Sequence, residues 1–548
     1  MNTHTRNQRA QRLIFVLALC TSPLATAFID GSDRTLQQWG SYGEWTLANP
    51  SFGGNPFDLV ASATFTHAAS GETRTTPMFY AGGNQWKFRF TATRLGSWTL
   101  ATSSADSDLN GWTGSVSVTQ TAQRNGFVSF SGRNWIHGAT GEVFVPQYLM
   151  YAGPQYFGTN DVLIDAEIDR FTTGHGFTGF HIPVYCRWFE ITKPRCDEIV
   201  TGSDPDPRTF DALEAMLRRG YAKGAVMHIW AWGDSGRQQN QTALRVESGI
   251  NGPADLRLQR YIAARLGPLP GWTMGYGYDL FEWVNGGELT FWRNNLQSLM
   301  GWRHLLGARG TTNTFFQPSE AMDYASYETH RPTIEVYRQS IAQRPAKPAF
   351  SEDRFRFRGV GNKAKDYSLE EVRRGLWHSA IAGGIANIWG NLTTDNVTED
   401  DGINEAFRPS LSFPNVAGLL TYALYFERRF DRDMIACDAG ATYCVRRANN
   451  AARTLYQEDT RSLALNLAGH AGSLEAIAVD TKRAYAEVNL GTLSADTTSL
   501  TLPYESDWVV AIGWAGNAEP PADPPPDDPP PGAADTLAPA QVRGLSVD

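Results

Sequence analysis

From about residue 140 to about residue 430, short apolar runs alternate with longer stretches of helical periodicity. DVLIDAEIDRF (Asp161–Phe171) precedes GFTGFHIPVY (Gly176–Tyr185). FDALEAMLRRGYAKG (Phe210–Gly224) precedes AVMHIWAWGD (Ala225–Asp234), and DLRLQRYIAARLG (Asp255–Gly267) leads to GYGYDLFEWVNGGEL (Gly275–Leu289). SLEEVRRGLWHSAIAGG (Ser368–Gly384) opens with Ser368 placed to cap a helix and Glu371 to close the capping box, then stops at two glycines before IANIWG (Ile385–Gly390). Strand–helix units repeated over this length predict a parallel sheet closed into a (β/α)8 TIM barrel. The expected strands run from FVPQYLM (Phe144–Met150) as first, through His181 on the second, His228 on the third and the Gly275–Leu289 stretch as fourth. GTTNTFF (Gly310–Phe316) is the expected fifth, Tyr324 lies on the sixth, Glu352 ends the seventh and Trp389 lies on the eighth.

This barrel, assigned to residues 123–430, is flanked by β-rich segments. Residues 28–122 hold short strand-like runs separated by glycine turns, and alternation in QWKFRFTAT puts Trp86, Phe88 and Phe90 on one face. They read as an N-terminal antiparallel β-sandwich. Residues 431–515 return to short strands and predict a small C-terminal β-sandwich domain. Residues 516–535 are a Pro-rich, extended linker. Residues 536–548, TLAPAQVRGLSVD, resemble the opening of a fibronectin type III-like module, truncated after one strand.

Residues 1–27 read as a signal peptide. Arg6, Arg9 and Arg12 precede the apolar LIFVLALC (Leu13–Cys20), and Ala25–Ala27 offers a small-residue cleavage site. The apolar run is too short for a transmembrane anchor. The expectation is a secreted chain, extracellular or periplasmic. Cleavage after Ala27 leaves four cysteines, Cys186, Cys196, Cys437 and Cys444, spaced for two local disulfides. No zinc-ligand spacing occurs, so neither metal nor cofactor is expected. The net charge of −9 argues against a nucleic-acid partner.

Barrel active sites lie at the C-terminal ends of the strands. Glu282 falls just past the expected fourth strand and Glu352 at the end of the seventh. Two carboxylates facing each other at roughly 5–5.5 Å are what a retaining glycoside hydrolase needs, one protonating the leaving oxygen and the other attacking the anomeric carbon. Asp279 is the alternative acid. If the strand ran on, Leu280 and Glu282 would share one face and Asp279 and Phe281 the other. His181, His228, Trp230, Tyr278, Trp283, Tyr324 and Trp389 are candidates to bind a poly- or oligosaccharide. Each histidine also fits a buried barrel position, and each aromatic fits core packing.

RRGLWHSAIAGGIANIWGN (Arg373–Asn391) resembles the run through strand eight of the apiosidase-like family of (β/α)8-barrel glycoside hydrolases. NPFDLVASATF, followed by MFYAGGNQWKFRFTATRLGSWTL, resembles the sandwich that often precedes such barrels. The resemblance implies a hydrolase of O-glycosyl bonds with acids after strands four and seven. Phe281–Glu282–Trp283 departs from the Asn–Glu pair that many members of the superfamily carry after strand four. A non-catalytic carbohydrate-binding or surface scaffold protein with a silent barrel is the alternative.

Overall fold

The computed structural model describes residues 28–120, 124–151, 153–154, 161–192, 204–312, 321–328, 333–357, 366–390, 409, 411, 417–432, 434–439 and 442–514. At its centre is a parallel barrel of eight strands: β1 (Gln147–Met150), β2 (Gly179–Pro183), β3 (Val226–Trp230), β4 (Trp272–Gly275), β5 in two pieces (Leu306–Gly307 and Arg309–Thr312), β6 (Ala325–Glu328), β7 (Ala349–Phe357) and β8 (Ala386–Trp389). Neighbours pair in parallel from the first piece of β5 through β4, β3, β2, β1, β8, β7 and β6 to its second piece, with β8 against β1. β1 to β4 and β8 are buried along their whole length. They are therefore near-continuous apolar runs without an alternating pattern.

Two irregularities bear on function. β5 changes partner in mid-course: Leu306–Gly307 pairs with β4 and Arg309–Thr312 with β6, Ala308 lying between. On β7, Phe350 and Ser351 pair with Ala386 and Asn387, yet the next residue of β8, Ile388, pairs with Arg354. Glu352 and Asp353 are thus extra residues on the β7 side, a bulge that lifts Glu352 out of the ladder.

Helices pack outside. Asp206 caps α2 (Pro207–Ala222), its side chain accepting from the Arg208 N–H. α4 (Gly286–Leu299) and α6 (Leu369–Ile381) each carry a complete capping box, Asn285 with Glu288 and Ser368 with Glu371. Among the described residues no helix is long and apolar enough to cross a membrane.

The N-terminal domain is a five-stranded sheet facing a three-stranded one. Its pairs are antiparallel except Arg34–Gln37, which lies parallel to Thr113–Thr119. Its core stacks Trp45 on Phe88 and Phe65 on Phe90. Trp302, between α4 and β5, inserts into this core and donates its indole N–H to the Thr91 carbonyl at 2.9 Å. Arg89 reaches out of the sandwich to Glu214 of α2, which also pairs with Arg265 of α3 (Pro253–Leu266). A three-stranded meander (Val128–Ser131, Asn134–His137, Val143–Phe144) presses Trp135 against Tyr324 and Phe350.

The C-terminal domain is a six-stranded antiparallel sheet whose two long strands, Arg453–Ala464 and Ser499–Ile512, shift register between Gln457 and Ser462. It docks on α6 through buried Asp507, which pairs with Arg373 and Arg374. Cys437 and Cys444 face each other across a hairpin and form a disulfide. Cys186 is disulfide-bonded too, and Cys196 lies outside the described residues.

Four expected strands differ in detail. The seventh runs past Glu352, its expected end, to Phe357. The fourth ends at Gly275, well short of the acids, and beyond it Asp279 takes a left-handed backbone (φ +53°) that does not continue a regular extended strand. A Cβ on Gly277 would stand 2.2 Å from the Trp232 carbonyl oxygen. The fifth begins at Leu306 rather than Gly310, and residues 313–316 of the expected run lie outside the described residues, as do residues 1–27 and 515–548, where the signal peptide, linker and tail are expected. Tyr324 immediately precedes β6 instead of lying on it.

Candidate active site

Glu352 is fully buried. The bulge on β7 turns its carboxylate toward donors from two other strands. The Trp230 indole N–H from β3 donates to Oε1 at 2.5 Å. The Ser326 hydroxyl from β6 donates to Oε2. His228 Nε2, also from β3, lies 3.3 Å from Oε1. Space for the carboxylate comes from β4: a Cβ on Gly275 would stand 2.0 Å from Oε1 and 3.0 Å from the Trp230 ring.

Below the carboxylate, His181 and His228 are fully buried, their Nδ1 atoms 2.9 Å apart. His228 Nε2 also meets the Tyr324 hydroxyl at 3.3 Å, and that hydroxyl donates to the Met274 carbonyl at 3.2 Å. Burial pushes the Tyr324 phenol well above its ordinary pKa, with the Glu352 charge adding to the effect, so it stays protonated.

Arg309, on the second piece of β5, ties the rim together. Its Nη1 donates to the Glu352 carbonyl at 3.3 Å, and its Nη2 lies 2.7 Å from both Asp279 Oδ1 and Glu328 Oε2. The guanidinium carbon sits 5.7 Å from the centre of the Trp230 ring and 5.4 Å from that of Tyr278, aromatic faces that suit a cation. Asp279 adopts a left-handed backbone, a costly state for a residue other than glycine, and its side chain keeps 28% exposure. Glu282 ends the short 3-10 turn Leu280–Glu282 and is exposed. What burial it has pushes its carboxyl pKa up, Asp279 and Asp234 push the same way, and Arg237 opposes them. Glu288, the third acid of that run, is occupied in the α4 capping box.

The remaining aromatics divide. Tyr278 is buried beside Trp230, 4.9 Å between ring centres, and donates to Gln239 Oε1. Trp283 stacks on Tyr276 at 5.5 Å. Trp389 stands apart from the site: its ring lies over Gly375 of α6, where a Cβ would come within 2.4 Å of it, and its N–H donates to Gln147 Oε1 at 2.6 Å. It therefore belongs to the wall between β8 and α6.

The structure adds Arg309, Ser326, Glu328 and Gly275 to the site. Ser326 and Glu328 sit two apart on β6, so strand alternation carried on from Tyr324 would have flagged them. Arg309 falls one residue ahead of the expected fifth strand. Among the described residues one carboxylate trio, Glu370, Asp459 and Asp507, is close enough to hold a cation. Arg373, Arg374 and Lys482 already neutralise it, so it makes a poor metal site.

A parallel barrel of eight strands with a buried carboxylate on the seventh and further acids on the rim defines the class: a (β/α)8 barrel fronted by a β-sandwich. Residues 35–105, within that sandwich, match a family model described as a domain of unknown function, DUF5060. No curated protein matches the chain. Among solved structures, a putative glycoside hydrolase from Bacteroides vulgatus is similar with a TM-score of 0.66 at 16% identity, covering 87% of this chain and 99% of its own. A family 5 glycoside hydrolase from the same organism is similar with a TM-score of 0.54 at 14% identity, over 72% of this chain and 95% of its own. A third structure, described as a glycoside hydrolase, reaches 0.55 at 12% identity, over 72% and 98%. At these identities the likeness establishes the shared fold.

Proposed function

We propose that this chain is an exported glycoside hydrolase that cleaves O-glycosidic bonds of a poly- or oligosaccharide by a retaining mechanism, with Glu352 as nucleophile and Asp279 as acid/base. The observation that carries the reading is the setting of Glu352: a buried carboxylate, lifted from its strand by a bulge and met by an N–H donor from β3 across the barrel and an O–H donor from neighbouring β6. Nothing in the packing of the barrel requires a carboxylate there. A nucleophile does require one, held in a single orientation. Asp279 is preferred because Arg309 spans its carboxylate and the Glu352 main chain. In this reading Glu352 attacks the anomeric carbon while Asp279 protonates the departing oxygen. Asp279 then takes a proton from the water that displaces Glu352 from the glycosyl ester.

A second reading makes Glu282 the acid, favoured by its raised carboxyl pKa. The neighbouring solved structures named as glycoside hydrolases support the reaction class, and the Arg373–Asn391 run supports an apiosidase-like relationship. The basic, apolar and small-residue segments of residues 1–27 support export.

Glu352→Gln, Asp279→Asn and Glu282→Gln, each assayed on a panel of plant, algal and microbial glycans with products identified by mass spectrometry, test the assignment. Glu352→Gln should abolish turnover. Asp279→Asn should lose it on unactivated substrates, whose leaving oxygen needs the proton, while its turnover of an activated aryl glycoside should recover with added azide, which attacks the glycosyl ester without a base. Recovery confined to Glu282→Gln would move the acid role to that residue. Proton NMR of the first product should show the substrate's own anomeric configuration. Glycan binding without turnover by the wild type would favour the scaffold alternative.

A further inference from the structure

The two histidines beneath Glu352 constrain each other's protons. His181 Nδ1 and His228 Nδ1 are 2.9 Å apart, so one nitrogen donates and the other is bare. At the far side of the His228 ring, Nε2 lies 3.3 Å from the Tyr324 hydroxyl and 3.3 Å from Glu352 Oε1. The Tyr324 hydroxyl gives its single proton to the Met274 carbonyl, which leaves it an acceptor toward His228. Glu352 already receives the Trp230 N–H and the Ser326 O–H, and it too accepts. His228 therefore carries its proton on Nε2. Its Nδ1 is bare, and the shared proton belongs to His181.

Resting on the reading of Glu352 as nucleophile, we propose that His181 is a positioning residue that locks the tautomer of His228, so that its Nε2 carries a proton on the side shared by the Tyr324 hydroxyl and Glu352 Oε1, each 3.3 Å away. The rings cannot turn to offer another atom. His181 is held edge-on by Trp230 at 4.4 Å, and His228 lies between Tyr148 at 5.5 Å and Phe350 at 4.8 Å. Both rings are fully buried, so bulk water cannot replace the donor. The ionisable groups facing the pair are Tyr148 from β1, Tyr324 ahead of β6 and Glu352 from β7, with the Arg309 guanidinium on the Glu352 carbonyl. Without the His181 donor, the His228 proton is free to move to Nδ1, and a bare Nε2 then faces the carboxylate.

The test is the ring nitrogen–proton NMR spectrum of the full chain labelled with 15N-histidine, for wild type, His181→Leu and His181→Asn. The asparagine amide nitrogen falls where Nδ1 was and keeps a donor there. The wild type should show His228 protonated on Nε2, the Leu variant a shift to Nδ1 or a mixture, and the Asn variant the wild-type form. On a glycan that the wild type hydrolyses, kcat should fall about 10- to 100-fold in the Leu variant, the worth of a hydrogen bond to a charged group, with KM little changed, and the Asn variant should recover it. A His228 proton on Nδ1 in the wild type, an unchanged tautomer in a folded Leu variant, or an Asn variant that does not restore Nε2–H would overturn the proposal. Should the Leu variant not fold, the wild-type and Asn spectra still decide. Wild-type turnover by Glu352→Gln would remove the nucleophile assignment instead, and the ring spectra are read without substrate.

Discussion

Gly275→Ala places a methyl group in the space the proposed nucleophile occupies. The new Cβ would stand 2.0 Å from Glu352 Oε1, and real contacts of this kind do not fall below 3.0 Å, so the oxygen must retreat by about 1 Å. Retreat toward Trp230 is blocked, since that ring is itself 3.0 Å from the new carbon. Moving Oε1 stretches its 2.5 Å bond from the Trp230 N–H. A displacement of about 1 Å at a reacting atom lowers the rate about 10²-fold, and overpacking costs about 1–3 kcal/mol of stability. The assay is steady-state hydrolysis of an accepted glycan, with thermal unfolding followed alongside. Gly287→Ala in α4 serves as control, its nearest outside atom being Asn285 Oδ1 at 3.2 Å. The expected result is kcat down about 10²-fold in Gly275→Ala, KM changed little, the protein still folded, and the control unaffected. Wild-type turnover by a folded Gly275→Ala would refute the argument, because a nucleophile displaced that far cannot attack unimpaired.

Other expectations follow from buried charge and cross-links. Burial pushes the Asp255 carboxyl up to about 6, although one oxygen accepts from the Asn251 N–H and from the side-chain amides of Gln241 and Gln259. Its unfolded value is about 3.9, so the folded state holds the proton longer and the stability this group contributes is present below pH ~4 and lost as pH rises through about 6. Asp255→Asn should therefore match the wild type at pH ~4 and exceed it by up to about 3 kcal/mol at pH ~8, and melting curves that stay parallel across that range would contradict this. Asp507→Ala should strand Arg373 without its buried partner, costing about 3–5 kcal/mol and exposing the C-terminal sheet to limited proteolysis; a digestion pattern like that of the wild type would count against the contact. Peptide mapping without reductant should join Cys437 to Cys444 and Cys186 to Cys196, and reduction of the first pair should cost about 2 kcal/mol.

The barrel was legible because its strands are buried on both faces, and short apolar runs between helical stretches have few other uses. The place of Glu352 on the seventh strand was legible because it follows such a run directly. The path of the chain through Asp279 and Glu282 was not. The rule of alternating faces ends at Gly275, where the chain leaves the sheet through two residues at positive φ, so it cannot rank Asp279 against Glu282. Trp389 shows the opposite limit: it does lie on its strand, but the strand turns it toward α6, and nothing in IANIWG distinguishes that side from the barrel interior. Tryptophan content was a weak guide for the same reason, since Trp45, Trp98, Trp272 and Trp377 are all core. Arg309 was invisible because its role depends on two acids and a main-chain carbonyl distant in sequence, each on a different strand or loop.

The broken fifth strand has a mechanical meaning. Everywhere else around the barrel, neighbouring strands are stitched by main-chain hydrogen bonds, which any sequence can supply. At the join between the two pieces of β5 the stitching changes sides. There Arg309 clasps Asp279, from the loop after β4, to Glu328 at the end of β6. The wall of the vessel is closed at that point by a side-chain buckle, so its tightness is set by the identity of one residue. Loosening it would widen the rim beside the reacting carboxylate while leaving the other staves in place.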